Sequence, residues 1–329
     1  MSKRVGPVNA APAGRERPRR SALFMPASNA RALEKARTLP ADVVIFDLED
    51  AVAPDAKPTA RAMAAVAARS GGYGRREVVV RVNGTGTPWG AEDVAAVAVS
   101  AADALLLPKV DDAGEVRRVV AWLDAHGAPS SLAVWCMVET PLGILRAEAI
   151  AAAHPRVGAL VVGTSDLAAD LRARVTRDRS ALLPSLALCV LAARAHGRAV
   201  LDGVHLDLED GEGFVATCRQ ARDMGFDGKT LIHPNQIAGA NEAFSPSPAE
   251  VAHSRRVLSA WDEATATGRG IAVLDGRLVE NLHAEEARRI IALADLIAGD
   301  WEPVGVNFCA CHHGWRAWGV PRSSAGSRV

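Results

Sequence analysis

Ionisable side chains follow several apolar runs of this 329-residue sequence, and their types could support metal-assisted chemistry on an anionic substrate. Glu139 and Asp166 come after neighbouring apolar runs, and Arg81 and Lys109 end the two runs before them. Two carboxylates, with water and substrate oxygens, form an ordinary Mg²⁺ site because that ion prefers hard oxygen ligands. An arginine presents a planar fork to a substrate carboxylate or to a developing enolate oxygen. These residues predict chemistry in which negative charge builds on an enolate beside a chelated oxy-acid.

Other common catalytic patterns do not fit the same positions. The apolar runs do not deliver a cluster of His and Cys side chains, which disfavours Zn²⁺ there. The glycine-rich segment from Gly84 to Gly90 has the wrong spacing for a dinucleotide-binding loop and follows the third run rather than the first. We therefore interpret it as a connecting loop.

The residues above must be positioned by short apolar runs that recur along residues 22–232. Most of these runs are continuous rather than alternating, which is typical of strands buried on both faces. They are Ala22–Met25, Val43–Phe46, Val78–Val82, Ala104–Leu107, Leu132–Val138, Ala159–Val162, Ala199–Leu201 and Lys229–Ile232. Segments with helical apolar spacing separate them: Asn29–Thr38, Ala56–Ala68, Glu92–Ala101, Ala113–Ala125, Gly143–Ala153, Ser180–Ala195 and Gly211–Met224.

This alternation predicts an α/β fold, a (β/α)₈ TIM barrel whose strand ends converge on one mouth. An open doubly wound sheet is the alternative, although it would normally carry a phosphate loop after its first strand. We expect a disordered leader over 1–20, the barrel over 21–243, a C-terminal helical lid over 244–300 and a flexible tail over 301–329. The tail contains a Cys-Ala-Cys-His-His run at 309–313 without a second ligand cluster.

Composition narrows the class of protein further. Lys+Arg and Asp+Glu both number 38, so the net charge of zero argues against a nucleic-acid partner. The sequence has no apolar stretch that would predict a membrane span. Five sparse cysteines suggest reduced thiols, and hence a cytoplasmic protein.

Seven motifs in a fixed order resemble the citrate lyase β-subunit-like family of the HpcH/HpaI aldolase superfamily. They are SALFMP at 21–26, VIFDLEDAV at 44–52, RVN at 81–83, LPK at 107–109, VET at 138–140, DL at 166–167 and GFDGKTLIHPNQ at 225–236. The resemblance covers about residues 21–298. It implies a Mg²⁺-dependent barrel that cleaves or forms a C–C bond in a 3-hydroxyacyl-CoA carrying a carboxylate, such as malyl-, citramalyl- or citryl-CoA.

The resemblance also implies roles for individual residues. Glu139 and Asp166 are similar to the family's metal ligands, and Arg81 to its substrate- and enolate-binding arginine; Lys109 is a further candidate for substrate binding. Asp47 and Glu49 resemble the acidic pair that helps to arrange the site.

The segment LDGRLVE at 274–280 resembles a lid motif whose acid reaches the active site of a neighbouring subunit, which implies a homo-oligomer. Many family members have Asp where Glu280 stands, and the longer side chain keeps a second reaction open, hydrolysis of the thioester. An aldolase acting on free 2-oxo acids and a non-catalytic subunit of a lyase complex also remain alternatives.

Overall fold

The computed structural model describes residues 17–299, which contain a closed barrel of eight parallel strands. The strands are β1 (Ser21–Pro26), β2 (Val43–Asp47), β3 (Glu77–Arg81), β4 (Ala104–Leu107), β5 (Ala133–Val138), β6 (Val157–Val162), β7 (Ala199–Asp202) and β8 (Gly228–Leu231). Each strand pairs with the next, and β1 closes the barrel against β8. The predicted TIM barrel is confirmed, and the open sheet is excluded.

Helices connect the strands on the outside of the barrel. They are α1 (Ala30–Ala36), α2 (Lys57–Ser70), α3 (Gly90–Ala98), α4 (Ala113–Ala125), α5 (Pro141–Leu145), α6 (Ala147–Ala151), α7 (Thr164–Asp170), α8 (Leu183–Ala195), α9 (Gly211–Met224) and α10 (Gln236–Phe244). The predicted bounds of α4 and α9 are confirmed; the carboxylates of Asp112 and Asp210 cap their first turns. The single helix predicted over Gly143–Ala153 is wrong, because Arg146 leaves helical geometry and divides it into α5 and α6.

The strands alternate their side chains between two apolar layers. Ile45, Val79 and Leu106 belong to a cluster inside the barrel, whereas Val44 and Leu105 belong to the larger cluster between strands and helices. Because both faces of each strand are buried, most positions of both sets are apolar, which explains the continuous runs.

Acidic residues at the amino ends of the strands bind arginines that precede β1. Arg20 makes a bidentate pair with Asp42, with both Nε–Oδ2 and Nη2–Oδ1 distances at 2.8 Å. Arg19 makes a similar pair with Glu77. The predicted leader boundary at residue 20 is therefore wrong, because buried acids fix the arginines before it.

A C-terminal appendage follows the barrel and has an apolar cluster of its own. It comprises α11 (Pro248–Ala266), β9 (Ala272–Leu274), β10 (Arg277–Val279) and α12 (Asn281–Ala298). Ser247 caps α11 in a capping box with Glu250, and Pro248 occupies the first turn, so the double-proline segment starts this helix. β9 and β10 form an antiparallel hairpin around Asp275 and Gly276.

Among residues 17–299, no helix has the length and apolar character that a membrane span requires. Residues 1–16 of the expected leader and the expected tail at 301–329, with its cysteine and histidine run, lie outside the described residues.

Candidate active site

The mouth of the barrel is built around an ion pair between Asp47 and Arg81, the last residues of β2 and β3. The two residues are directly opposite each other in the parallel register. Arg81 donates from Nε to Asp47 Oδ1 at 2.7 Å and from Nη2 to Oδ2 at 2.6 Å. Both side chains are buried, so this fork-to-fork pair fixes the guanidinium plane.

Arg81 has further neighbours on its remaining side. Its Nη1 lies 2.9 Å from Glu49 Oε2 and 3.4 Å from Asp50 Oδ2, and its guanidinium carbon lies 4.7 Å from the centre of the Phe24 ring. Burial by itself lowers the pKa of Arg81, but the hydrogen bonds and charge of Asp47, followed by Glu49 and Asp50, raise it above its usual value. The guanidinium is therefore a permanent, oriented positive charge.

Glu49 lies between Arg81 and Lys109, the two cationic side chains of the mouth. Its Oε1 accepts a hydrogen bond from Lys109 Nζ at 3.2 Å, while its Oε2 faces Arg81. The Oε2 contact is an ion pair without hydrogen-bond geometry. Burial raises the pKa of Glu49 and the two cations oppose that effect. Lys109 is exposed, and its Nζ also lies 3.9 Å from Asp166 Oδ1.

Glu139 follows β5 and its carboxylate is almost completely buried. Its Oε1 accepts a hydrogen bond from the backbone N–H of Lys109 at 2.8 Å. The backbone of Lys109 has a left-handed conformation, with a φ of 51°. Burial, with smaller effects from the charges of Glu49 and Asp166, raises the pKa of Glu139 to about 7. Within residues 17–299, Glu139 Oε2 receives no hydrogen-bond donor.

Gly163 provides the space that the Glu139 side chain occupies. A Cβ at this position would lie 2.2 Å from Glu139 Oε2 and 2.4 Å from Glu139 Cβ, which no side chain could accommodate without movement. Gly163 immediately precedes α7, and Asp166 lies in the first turn of that helix, half-buried. The segment after β6 thus leaves space for the Glu139 carboxylate at Gly163 and carries the second carboxylate, that of Asp166.

The donor set at this position fits Mg²⁺. Glu139 and Asp166 are hard oxygen ligands, and a cation would offset the cost of burying the Glu139 charge. In the part of the chain that the structure describes, no group of three or more His, Cys, Asp and Glu could hold a metal. Two protein carboxylates would therefore leave the remaining positions of an octahedral ion to water and substrate.

Glu280 is the predicted site residue that the structure does not bring to the mouth of its own chain. It lies exposed between β10 and α12, where its backbone N–H donates to His283 Nδ1 at 3.0 Å. No hydrogen bond or ion pair within residues 17–299 joins it to the other predicted residues. The other predicted site residues, Arg81, Asp47, Glu49, Lys109, Glu139 and Asp166, meet at the mouth.

Sequence reasoning missed Lys57 and Gly163, which shape this site without belonging to a recognisable motif. Lys57 begins α2, where the helix dipole favours acidic side chains. A lysine in the first turn of a predicted helix departs from that preference, and this was the signal available in the sequence.

Comparisons with known proteins agree with this geometry. Residues 20–234 match the family model described as HpcH/HpaI aldolase/citrate lyase. The chain is 50% identical over 281 residues to (3S)-malyl-CoA thioesterase of Cereibacter sphaeroides. The match covers 85% of this chain and 96% of that relative. It is 36% identical over 311 residues to the L-malyl-CoA/beta-methylmalyl-CoA lyase of the same species, with 87% and 98% covered.

A solved structure shares the architecture. CitE from Mycobacterium tuberculosis, in complex with magnesium, acetoacetate and coenzyme A, is 33% identical and superposes with a TM-score of 0.68. The match covers 85% of this chain and 98% of that one. The similarity therefore extends over the barrel and beyond it.

Proposed function

Because the chain belongs to the HpcH/HpaI aldolase/citrate lyase family, we propose that it is a Mg²⁺-dependent CoA-ester lyase that cleaves or forms a carbon–carbon bond. Its substrate would be a carboxylated 3-hydroxyacyl-CoA of the malyl, citramalyl or citryl type. The observation that carries this proposal is the oriented Arg81 guanidinium, which shares the mouth of the barrel with the carboxylates of Glu139 and Asp166. Bound to those carboxylates, the metal would supply Lewis acidity toward the oxygens of the substrate.

Arg81 would stabilise the acyl-CoA enolate. Its Nε and one Nη2 hydrogen are engaged by Asp47, and its Nη1 faces Glu49 and Asp50, which leaves the second Nη2 hydrogen to bind the thioester oxygen. A base removes the proton of the substrate hydroxyl; as the C–C bond breaks, its electron pair passes into the enolate, and the hydroxyl carbon becomes the carbonyl of a 2-oxo acid. A donor fixed before reaction stabilises this developing charge without reorganising.

Lys109 and Glu280 complete the proposed site. The exposed Lys109 ammonium would bind the substrate carboxylate, since it stands at the edge of the mouth. Glu280 would protonate the enolate carbon from a neighbouring copy of the chain. The hairpin that carries it exposes Val273 and Leu278, cross-strand neighbours whose apolar surface suits burial against a second copy. We therefore infer a homo-oligomer.

Hydrolysis of the thioester is the second candidate, and the 50% identity to a (3S)-malyl-CoA thioesterase favours it. Here Arg81 would polarise the thioester carbonyl while an acidic side chain positions water. Water adds to the carbonyl carbon, and the CoA sulfur leaves as the thiol. Both reactions would use the same cytoplasmic substrate; the free, buried thiols of Cys136, Cys189 and Cys218 support that location.

Product analysis tests these candidates. Purified protein with Mg²⁺ is offered malyl-, citramalyl- and citryl-CoA, and free CoA, acyl-CoA and 2-oxo acid are quantified together. Equal amounts of acyl-CoA and 2-oxo acid are expected from a lyase. Free CoA without 2-oxo acid would identify a thioesterase instead. Free 2-oxo acids are offered in a separate assay, where turnover without competition by CoA would indicate an aldolase. No turnover of any substrate would favour a non-catalytic subunit.

A further inference from the structure

A buried ammonium group lies beneath the loop that follows β2. Lys57 is 6% exposed, and its Nζ donates to the backbone oxygens of Leu48 at 2.9 Å and Glu49 at 3.0 Å. It also donates to Asn83 Oδ1 at 2.6 Å. These bonds use all three hydrogens of the ammonium group. Lys57 therefore has the complete set of acceptors that a buried lysine requires.

Asn83 extends this network from the β2 loop to the residues after β3. Its Nδ2 donates to Leu48 O at 3.0 Å and to Asp93 Oδ2 at 2.6 Å. Its backbone N–H donates to the same Asp93 oxygen at 2.9 Å. Arg61 Nε, one helical turn after Lys57, donates to Asp93 Oδ1 at 2.6 Å. The two catalytic-side loops are thus connected by the hydrogen bonds of Lys57, Asn83 and Asp93.

The position of Glu49 is where this network meets the active site. Its carbonyl oxygen is bound by Lys57, and its side chain lies between Arg81 and Lys109. Asp47 Oδ1 accepts the Glu49 backbone N–H at 2.9 Å, so the Glu49 backbone is fixed from both sides. Lys57 itself contacts neither Arg81 nor Lys109 in the described residues.

We propose that Lys57 is a positioning residue for the reaction: by fixing the backbone of Glu49, it sets the separation and orientation of Arg81 and Lys109. This inference rests on the proposed function of the mouth. A buried charge is costly to maintain, and a purely stabilising contact could be made by an apolar side chain. Lys57 instead donates hydrogen bonds to the backbone carbonyl oxygens of Leu48 and Glu49, in the loop that follows β2, and to the side-chain amide of Asn83.

Lys57→Met tests the proposal because it keeps an unbranched side chain but removes the donors. We expect kcat to fall about 30-fold with a smaller change in KM, since a displaced Arg81 loses transition-state contacts first. Asp42→Asn is the matched control, because it breaks a buried ion pair at the opposite end of the barrel. It should lower the unfolding temperature by a similar amount and leave kcat unchanged.

A double-mutant cycle with Glu49→Gln separates positioning from stability. If Lys57 acts through Glu49, the Lys57→Met substitution should cost little further activity in the Glu49→Gln background. Multiplicative losses, or a Lys57→Met variant with unchanged kcat, would overturn the proposal.

A crystal structure of Lys57→Met gives a readout that does not depend on turnover. We expect the Glu49 carboxylate to leave its position between Arg81 and Lys109; an unchanged position would refute the inference. If the wild-type protein turns over none of the offered CoA esters, the proposed function fails while this structural test of Lys57 still decides.

Discussion

Arg81 is restrained by Asp47 and Glu49 to a degree that makes its geometry as important as its charge. A lysine at this position would keep the positive charge but could not reproduce the planar, bidentate pair with Asp47. We therefore predict that Arg81→Lys lowers kcat about 100-fold, the cost of losing one oriented donor to a developing oxyanion. Steady-state kinetics with the best CoA ester measures this effect.

The matched control is Arg20→Lys, which disrupts the bidentate pair with Asp42 at the amino end of the barrel. It should reduce stability without changing kcat. If Arg81→Lys retained wild-type kcat, the role of the guanidinium in stabilising the enolate would be wrong.

Gly163 controls the site through the space it leaves for Glu139. Gly163→Ala should displace the Glu139 carboxylate, because the added Cβ would overlap Oε2. We expect the affinity for Mg²⁺ to fall at least about tenfold, as for other changes that reorient a metal ligand. Isothermal titration calorimetry with Mg²⁺ measures this directly.

Gly211→Ala serves as the control for Gly163, since nothing lies within 4 Å of its added Cβ at the start of α9. It should bind Mg²⁺ as the wild type does. Unchanged Mg²⁺ affinity in Gly163→Ala would show that Glu139 is not a metal ligand.

At the scale of elements, strands were more predictable than the short connections between them. The continuous run at Ala104–Leu107 matches β4 because burial on both faces requires apolar side chains throughout. α7 was missed because this seven-residue helix begins after Gly163 without a capping side chain, whereas the equally short α1 has the cap of Asn29. β10 was missed because three residues, of which two are exposed, show no burial pattern.

The same distinction applies to the candidate site. Glu139 and Arg81 were predictable because carboxyl strand ends converge in a barrel, whichever side chains follow. Lys57 and Gly163 were not, because their importance depends on contacts between residues far apart in sequence. The position of Glu280 relative to a second chain likewise cannot follow from periodicity within one chain.

An ion pair between α9 and α11 gives a prediction at the scale of elements. Glu250 accepts a hydrogen bond from Arg222 at 2.7 Å and from the Ser247 backbone N–H at 2.7 Å. Burial alone would raise the pKa of Glu250, but these bonds lower it to about 2. The folded state is therefore favoured at pH values above the unfolded pKa, and this contribution is lost as the pH falls through about 4 toward 2.

Glu250→Gln should reduce the free energy of unfolding by about 1 kcal/mol at pH 7, a value that allows for solvent screening of a partly exposed pair. The difference in unfolding free energy between Glu250→Gln and the wild type should shrink as the pH falls from about 4 to about 2. Urea denaturation at a series of pH values across this range measures it. Asp262→Asn, on the exposed face of the same helix, should show no such pH dependence. A constant difference at all pH values would contradict the charged contribution of Glu250.

At the scale of the whole molecule, the barrel and the appendage have separate apolar clusters. The link between α9 and α11 includes the Arg222–Glu250 ion pair. An appendage with its own core can keep its shape while its hairpin docks on another chain. Exposed Val273, Leu278 and Leu282 form an apolar edge beside Glu280 that such docking would bury.

This arrangement predicts complementation between two inactive chains. Arg81→Lys lacks an effective enolate site but carries an intact Glu280, whereas Glu280→Gln has the reverse defect. When the two are co-expressed with different affinity tags and purified through both, some mouths combine intact Arg81 with intact Glu280. A dimer purified through both tags has one intact mouth in two, so about half of wild-type activity should return if Glu280 acts between subunits. If Glu280 acted within its own chain, every mouth would retain one defect, and activity in the mixed oligomer would not exceed the mean of the two variants.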